Sequence, residues 1–235
     1  MTRDVVYGRR PVREALRGRR HVLEVWASLR AAEAEPWLRE IPRLQLRAER
    51  ELSDATGTRD HQGVVAWAEP YRYADAWELA AVERPLLVCL DQVTDPRNLG
   101  AVCRSAEGAG ATGVVVPAHG SVTVTPAVAK ASAGAVEHLS VAVVPNLARY
   151  LQEIKRDDLW IYGAAADAGE TLWETDFRGG VVSVLGAEGR GLRPLVRRRC
   201  DALVSIPLAG EVSSLNVSVA AAVLLFEARR QRGSS

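Results

Sequence analysis

Lysine is nearly missing from this chain: Lys130 and Lys155 stand alone against 28 arginines in 235 residues. Basic chemistry here is therefore guanidinium chemistry, a planar fork of donors that suits phosphate. The three cysteines, Cys89, Cys103 and Cys200, form no C-x-x-C pair and no even set. That excludes a disulfide framework, gives no zinc signature and favours a reducing cytosol, so a cytoplasmic location is expected. Four scattered histidines, His21, His61, His119 and His138, show no metal-ligand spacing and no triad. No apolar run approaches the roughly 20 residues that cross a bilayer, and Met1-Thr2-Arg3-Asp4 leads into no signal-peptide core. A G-x-x-x-x-G-K-[ST] string is also absent, which removes P-loop nucleotide chemistry.

What is present reads as a globular protein, 48% apolar and 25% charged, with a net charge of +1. The arginines are clustered. Residues 1–20 carry seven (3, 9, 10, 13, 17, 19 and 20) against Asp4 and Glu14, and residues 190–199 carry five with no acid. Two meanings compete: solvated helix faces, or grips for a nucleic-acid backbone.

Residues 1–69 read as a small α/β unit. Helices are expected over 10–16, 36–41 and 49–55, with strands over 22–27, 44–46 and 63–67. His61-Gln62 reads as a turn. Residues 70–84, charged and aromatic, read as a partly helical linker. From Pro85 onward, apolar runs without alternation (86–90, 114–116, 140–144, 159–164, 181–185, 203–206) alternate with helices over 98–107, 126–137, 146–156 and 193–199. A last helix is expected from Leu215. This pattern predicts an α/β domain with a mostly parallel sheet.

Gly108-Ala-Gly-Ala-Thr-Gly113 matches G-x-G-x-x-G, but a helix precedes it and a strand follows. The dinucleotide fingerprint needs the reverse order, so this is a helix end. Three other segments pair a loop with polar residues at the mouth of a strand. Asn98 and Arg104 lie about 120° apart on a helical wheel, so they can flank one cavity, or Asn98 caps and Arg104 reaches water. Glu188 sits in Gly186-Ala187-Glu188-Gly189, facing a ligand or paired with a nearby arginine. Ser213-Ser214-Leu215-Asn216 opens the final helix, where a serine is an ordinary cap. Asn216 within the first turn of an otherwise apolar helix is harder to assign to packing. The apolar set Leu215, Val219, Ala222, Val223 and Phe226 shares a face suited to core or dimer packing.

Together these segments resemble the three motifs of the SpoU-type (TrmH-like) ribose 2′-O-methyltransferases of the SPOUT superfamily. Asp91-x-Val93-x-Asp95-Pro96-x-Asn98-Leu99-Gly100-Ala101-x-x-Arg104 is similar to the first, Leu185-Gly186-Ala187-Glu188-Gly189-x-Gly191 to the second, and Ile206-Pro207-Leu208 through Ser214-Leu215-Asn216-Val217-Ser218 to the third. Tyr7-Gly8-x-x-Pro11-Val12 and His61-Gln62-Gly63-Val64-Val65 resemble the substrate-binding unit of the branch that modifies a guanosine in the P loop of bacterial 23S rRNA. Positions 10 and 11, commonly histidine and alanine there, are Arg10 and Pro11 here.

The resemblance implies an RNA substrate-binding domain over 1–69, small, α/β and L30e-like, a linker over 70–84, and a SPOUT trefoil-knot methyltransferase domain over 85–235. It implies S-adenosylmethionine (AdoMet) as methyl donor, no metal, a homodimer, no membrane, and rRNA as partner, free or in a large-subunit precursor. Carried over, Gly186, Ile206 and Leu215, with Leu185 and Leu208, would hold the donor. Arg104 would be catalytic, with Asn98, Glu188, Ser214 and Asn216 around it. A guanidinium resists deprotonation, by some 7 kcal/mol at neutral pH. A grip on RNA phosphate that polarises the ribose hydroxyl is therefore the favoured role for Arg104. Rival readings are a tRNA methyltransferase of the same superfamily, a resistance methyltransferase acting on another rRNA nucleotide, and a non-catalytic rRNA-binding assembly protein.

Overall fold

Leu86 to Asp91 is buried at every position, and so, up to its last residue, is Gly180–Gly186. Strands that present no face to water pack between layers, and here they pair in parallel. The computed structural model describes residues 2–233. In chain order the elements are β1 (Asp4–Tyr7), α1 (Arg9–Arg17), β2 (Val22–Ala27), α2 (Leu29–Ala34), β3 (Gln45–Leu46), α3 (Glu49–Thr56), β4 (Val64–Ala68), α4 (Ala76–Ala81), β5 (Leu86–Asp91), α5 (Pro96–Ala109), β6 (Gly113–Pro117), α6 (Pro126–Ala131), β7 (Val141–Val144), α7 (Leu147–Glu153), β8 (Leu159–Ala164), β9 (Glu170–Thr171), β10 (Gly180–Gly186), α8 (Pro194–Arg199), β11 (Ala202–Ser205) and α9 (Val217–Gly233). Single 3-10 turns cover Pro36–Glu40 and Ala135–Glu137.

Two sheets result. The first has the order β1-β4-β2-β3, with β4 antiparallel to both β1 and β2. The second has the order β7-β6-β5-β10-β8-β11-β9 and is parallel throughout. Strand β10 thus inserts between β5 and β8, pairing Val181 with both Leu86 and Trp160.

The two sheets do not stand apart. Val6, Val12 and Ala15 from the first unit share one apolar core with Leu99, Cys103 and Val128 from the second. Arg20, its side chain 7% exposed, is clamped by Glu137, whose side chain is fully buried, with Nε to Oε2 at 2.9 Å, and it also reaches Asp4 at 3.2 Å. The Tyr71 ring lies under the Arg20 guanidinium at 5.4 Å, and its hydroxyl donates to the Val136 and Leu139 carbonyls. Within residues 70–75, read as linker, Tyr71 is thus packed against the second unit and Ala74 bridges Ala142.

That docking breaks a helix. The continuous helix expected over 126–137 stops at Ala131, where Ala133 (φ 54°) and Gly134 (φ 90°) turn left-handed. A Cβ on Gly134 would lie 2.6 Å from Glu14 Cβ, so only glycine lets α1 approach this closely. Two more expectations shift by a cap. Asp95, not Asn98, caps α5, its Oδ1 accepting from Arg97 N at 2.8 Å with Pro96 in the first turn. The last helix begins at Val217 rather than Leu215, because Asn216 is its cap: Oδ1 accepts from Ser218 N at 2.9 Å, and its carbonyl accepts from Ala220 N. The core face of α9 is Val217, Ala221, Leu224, Leu225 and Ala228. Of the face read for core or dimer packing, Val223 packs against the core, while Val219 and Phe226 are about half exposed.

Candidate active site

In an open parallel sheet, ligands bind beyond the carboxyl ends of the strands, where the loops diverge. Here that edge carries Asp91 at the end of β5, Ala164 at the end of β8 and Gly186 at the end of β10. Asp91 is fully buried, and its carboxylate accepts from Arg193 N and Nε, both at 2.8 Å. This pair ties the far side of the glycine-rich loop to the end of β5. Within the loop, Gly191 N returns to the Ala187 carbonyl at 2.9 Å, with Gly189 (φ 74°) and Gly191 (φ 62°) left-handed. A side chain on Gly186 would collide with the backbone of Gly191 and Leu192, so the tight turn requires glycine there.

Two cavities open at this edge. One, of about 380 Å³, is lined by Leu185, Gly186, Ile206, Leu208, Ser214 and Leu215, with Ala164, Ala165 and Ala166 closing another side. All five residues expected to hold the donor meet in this one space. The other, of about 480 Å³, is lined by Gln92, Thr94, Asn98, Gly120, Glu188 and Arg190. Ala187, Glu188 and Val217 line both. They form the partition between the two.

Three polar side chains from distant segments meet at that partition. Asn98 Nδ2 donates to Glu188 Oε1 at 3.2 Å, and Asn216 Nδ2 donates to Asn98 Oδ1 at 3.0 Å as well as to Glu188 Oε1. Val217 N adds a fourth contact, to Glu188 Oε1 at 3.3 Å. The carboxylate is thus held by neutral donors, and among the described residues no cation pairs with it. Asn216 does two things at once: its oxygen caps α9 and its amide nitrogen joins the site. The local ion pair read for Glu188 as an alternative does not form.

Arg104 stands elsewhere on α5. It is exposed and makes no hydrogen bond or ion pair among the described residues. Ser214, also exposed, contributes only to the wall of the smaller cavity. Sequence reading missed Ala164 to Ala166 and the Asp91–Arg193 pair. Both were findable as positions immediately after buried parallel strands, or at their ends. No group of three or more His, Cys, Asp or Glu that could hold a metal occurs among the described residues.

The sequence profile of the SpoU rRNA Methylase family matches residues 85–226. The chain belongs to that family. A profile described as RNA 2′-O ribose methyltransferase substrate binding matches residues 5–74. Among SpoU-type relatives, a 23S rRNA (guanosine-2′-O-)-methyltransferase of Pseudomonas putida is 42% identical, over 97% of each chain. Another so named, from Ralstonia nicotianae, is 50% identical over 77% of this chain and 74% of its own. The SpoU methyltransferase AviRb of Streptomyces viridochromogenes, solved in complex with the cofactor AdoMet, superposes with a TM-score of 0.83 at 28% identity, covering 98% of this chain and 91% of that one. The expected fold, a SpoU-type α/β domain with a parallel sheet and a small N-terminal α/β unit, is the one observed.

Proposed function

We propose that this chain transfers the methyl group of AdoMet to the ribose 2′-oxygen of a guanosine in 23S rRNA, in the P loop. The observation that carries the reading is the shared wall: two cavities of ligand size, both lined by Ala187, Glu188 and Val217. A bimolecular displacement needs two partners brought together in line, and adjoining cavities supply that arrangement. The smaller cavity suits a nucleoside donor. Gly186 lets backbone come close, while Ile206, Leu208 and Leu215 supply apolar walls. The names of the relatives point to the same substrate class.

When bound, AdoMet would supply an electrophilic methyl carried on a sulfonium and leave as the neutral thioether, with the 2′-hydroxyl proton passing to water. Glu188, a carboxylate with no counter-cation among the described residues, lines both cavities and would face the donor's positive charge on one side and the acceptor hydroxyl on the other. Asn98 and Asn216 fix its orientation. Arg104, unpartnered among the described residues, is available to grip the RNA phosphate beside the target ribose and polarise the hydroxyl. Ser214 borders the donor. Residues 1–69 bind RNA, 70–84 join the units, and 85–235 carry the transfer. The outward face of α9, with Val219 and Phe226, suits packing against a second copy, and the reaction belongs in the cytoplasm. The test is methyl incorporation into 23S rRNA from cells lacking the modification, followed by mapping. A labelled guanosine ribose in the P loop is expected. No incorporation, or label confined to tRNA, overturns the proposal.

A further inference from the structure

The two cavities at the carboxyl edge of the parallel sheet follow different runs of strands. Ala164 at the end of β8, with Ile206 and Leu208 after β11, lines the smaller. Gly120 after β6, with Gln92, Asp95 and Asn98 following β5, lines the larger. The loop after β10, carrying Ala187 and Glu188, borders both. The strand order β6-β5-β10-β8-β11 therefore lays the cavities side by side, with Gln92 and Gly120 at the end remote from the donor space. Two strand spacings separate β6 from β10, about 10 Å, the reach of a nucleoside from its 2′-oxygen to the far edge of its base.

That remote end carries strained backbone. Gln92 is left-handed at φ 60°, a conformation that a residue with a Cβ seldom takes. Of the residues other than glycine with positive φ in the described chain, it is the one that lines either cavity. Val122 N donates to the Val93 carbonyl at 2.9 Å, which ties the loop after β6 to the one carrying Gln92. A Cβ on Gly120 would lie 3.5 Å from Gln92 Nε2, so the carboxamide sits close beside that glycine. Strain held in place at a cavity wall is a feature of ligand sites. The neighbouring polar groups are largely committed: Asp95 holds Arg97 at 2.8 Å, and Asn98 donates to Glu188. Gln92, Thr94 and Arg190 make no side-chain hydrogen bond among the described residues. Of these three, Gln92 alone offers a donor and an acceptor side by side in one plane.

We propose that Gln92 reads the base of the nucleotide being methylated, its Nε2 donating to guanine O6 and its Oε1 accepting from N1–H. The inference rests on the methyl-transfer reading above and adds the residue that selects the acceptor. Bases in unpaired RNA are recognised by such bonds to their Watson–Crick edges. A ribose with its 2′-oxygen at Glu188 would extend its base toward the β6 side of the cavity, where the carboxamide lies.

The test crosses protein variants with two substrates. One substrate is a 23S rRNA P-loop hairpin with guanosine at the target. The other carries purine riboside there, whose base lacks O6, the N1–H and the 2-amino group. Gln92→Gly accepts the left-handed backbone freely, so its melting temperature should hold or rise. In the parent, kcat/KM for methyl transfer should favour the guanosine hairpin. Gln92→Gly should shrink that preference about tenfold, the scale of one paired base edge. Gln92→Met, which keeps the side chain's length and removes both polar atoms, should do the same. A preference equal to the parent's in both variants overturns the assignment, whether both substrates slow together or neither slows. A parent that methylates neither hairpin removes the underlying reading instead, and this inference with it.

Discussion

Two polar networks in this protein join segments far apart in sequence, and they are built on opposite principles. The Arg20–Glu137 clamp is buried, charge-neutralised and shared with Asp4 and Tyr71. The Asn98–Glu188–Asn216 cluster is exposed and holds a carboxylate with amides alone. A buried charge must be paired, or desolvation makes it ruinous. A charge meant for a ligand must stay uncompensated and within reach. The first network fixes one sheet on the other, whereas the second holds a charge ready at a partition.

Breaking the clamp is expected to have the largest effect. Glu137→Ala leaves a buried guanidinium with only the part-exposed Asp4 as counter-charge and should cost about 3 kcal/mol of stability, read by denaturant titration, while methylation per folded molecule survives. Equal losses in both would dissolve the contrast. At the other network, Glu188→Ala should leave melting nearly unchanged yet slow single-turnover methyl transfer about a hundredfold, the scale of a misplaced reacting group. Asn216 separates its own two duties. Asn216→Ser keeps a capping oxygen and loses the amide donor, so stability should hold while activity falls; Asn216→Ala should add about 1 kcal/mol of destabilisation from the lost cap. A serine variant with full activity would remove Asn216 from the site.

The smallest effect concerns acid. Hydrogen bonds from Arg230, then Gln231, hold the Glu227 carboxyl below its ordinary range. A depressed folded-state value means stability that is complete above the ordinary carboxylate range and fades as pH falls through the lowered value. Glu227→Gln should therefore lower the melting temperature slightly near neutrality, where the ionised contact contributes, and flatten its fall through that acidic window. An unchanged slope would show that the contact adds nothing.

The parallel strands were legible because burial on both faces leaves runs without alternation, as in Leu86–Leu90 and Val181–Leu185. Asn98, Glu188 and Asn216 were legible as polar residues beside glycine turns and helix starts, and the fold does bring them together. What long-range packing decides stayed hidden. The arginines of residues 1–20 look alike in sequence, yet Arg3, Arg9, Arg17, Arg19 and Arg20 spend themselves within the chain, leaving Arg10 and Arg13 exposed and unpartnered among the described residues. The break in the helix after Ala131 is set by α1, more than a hundred residues earlier, and cannot be read locally. The outward turn of Val219 and Phe226 follows from which side of α9 meets α5.

The place of β10 between β5 and β8 also imposes an order on synthesis. A ribosome making this chain leaves β5 with one edge bare once β6 has paired, and the strand that covers it arrives only after β7, β8 and β9 have also passed. An unpaired apolar edge is a template for wrong pairing, so the nascent chain is most exposed to aggregation in that interval. Both cavities wait longer still, since Val217 lines each of them. The protein has no working edge until nearly its last helix is made.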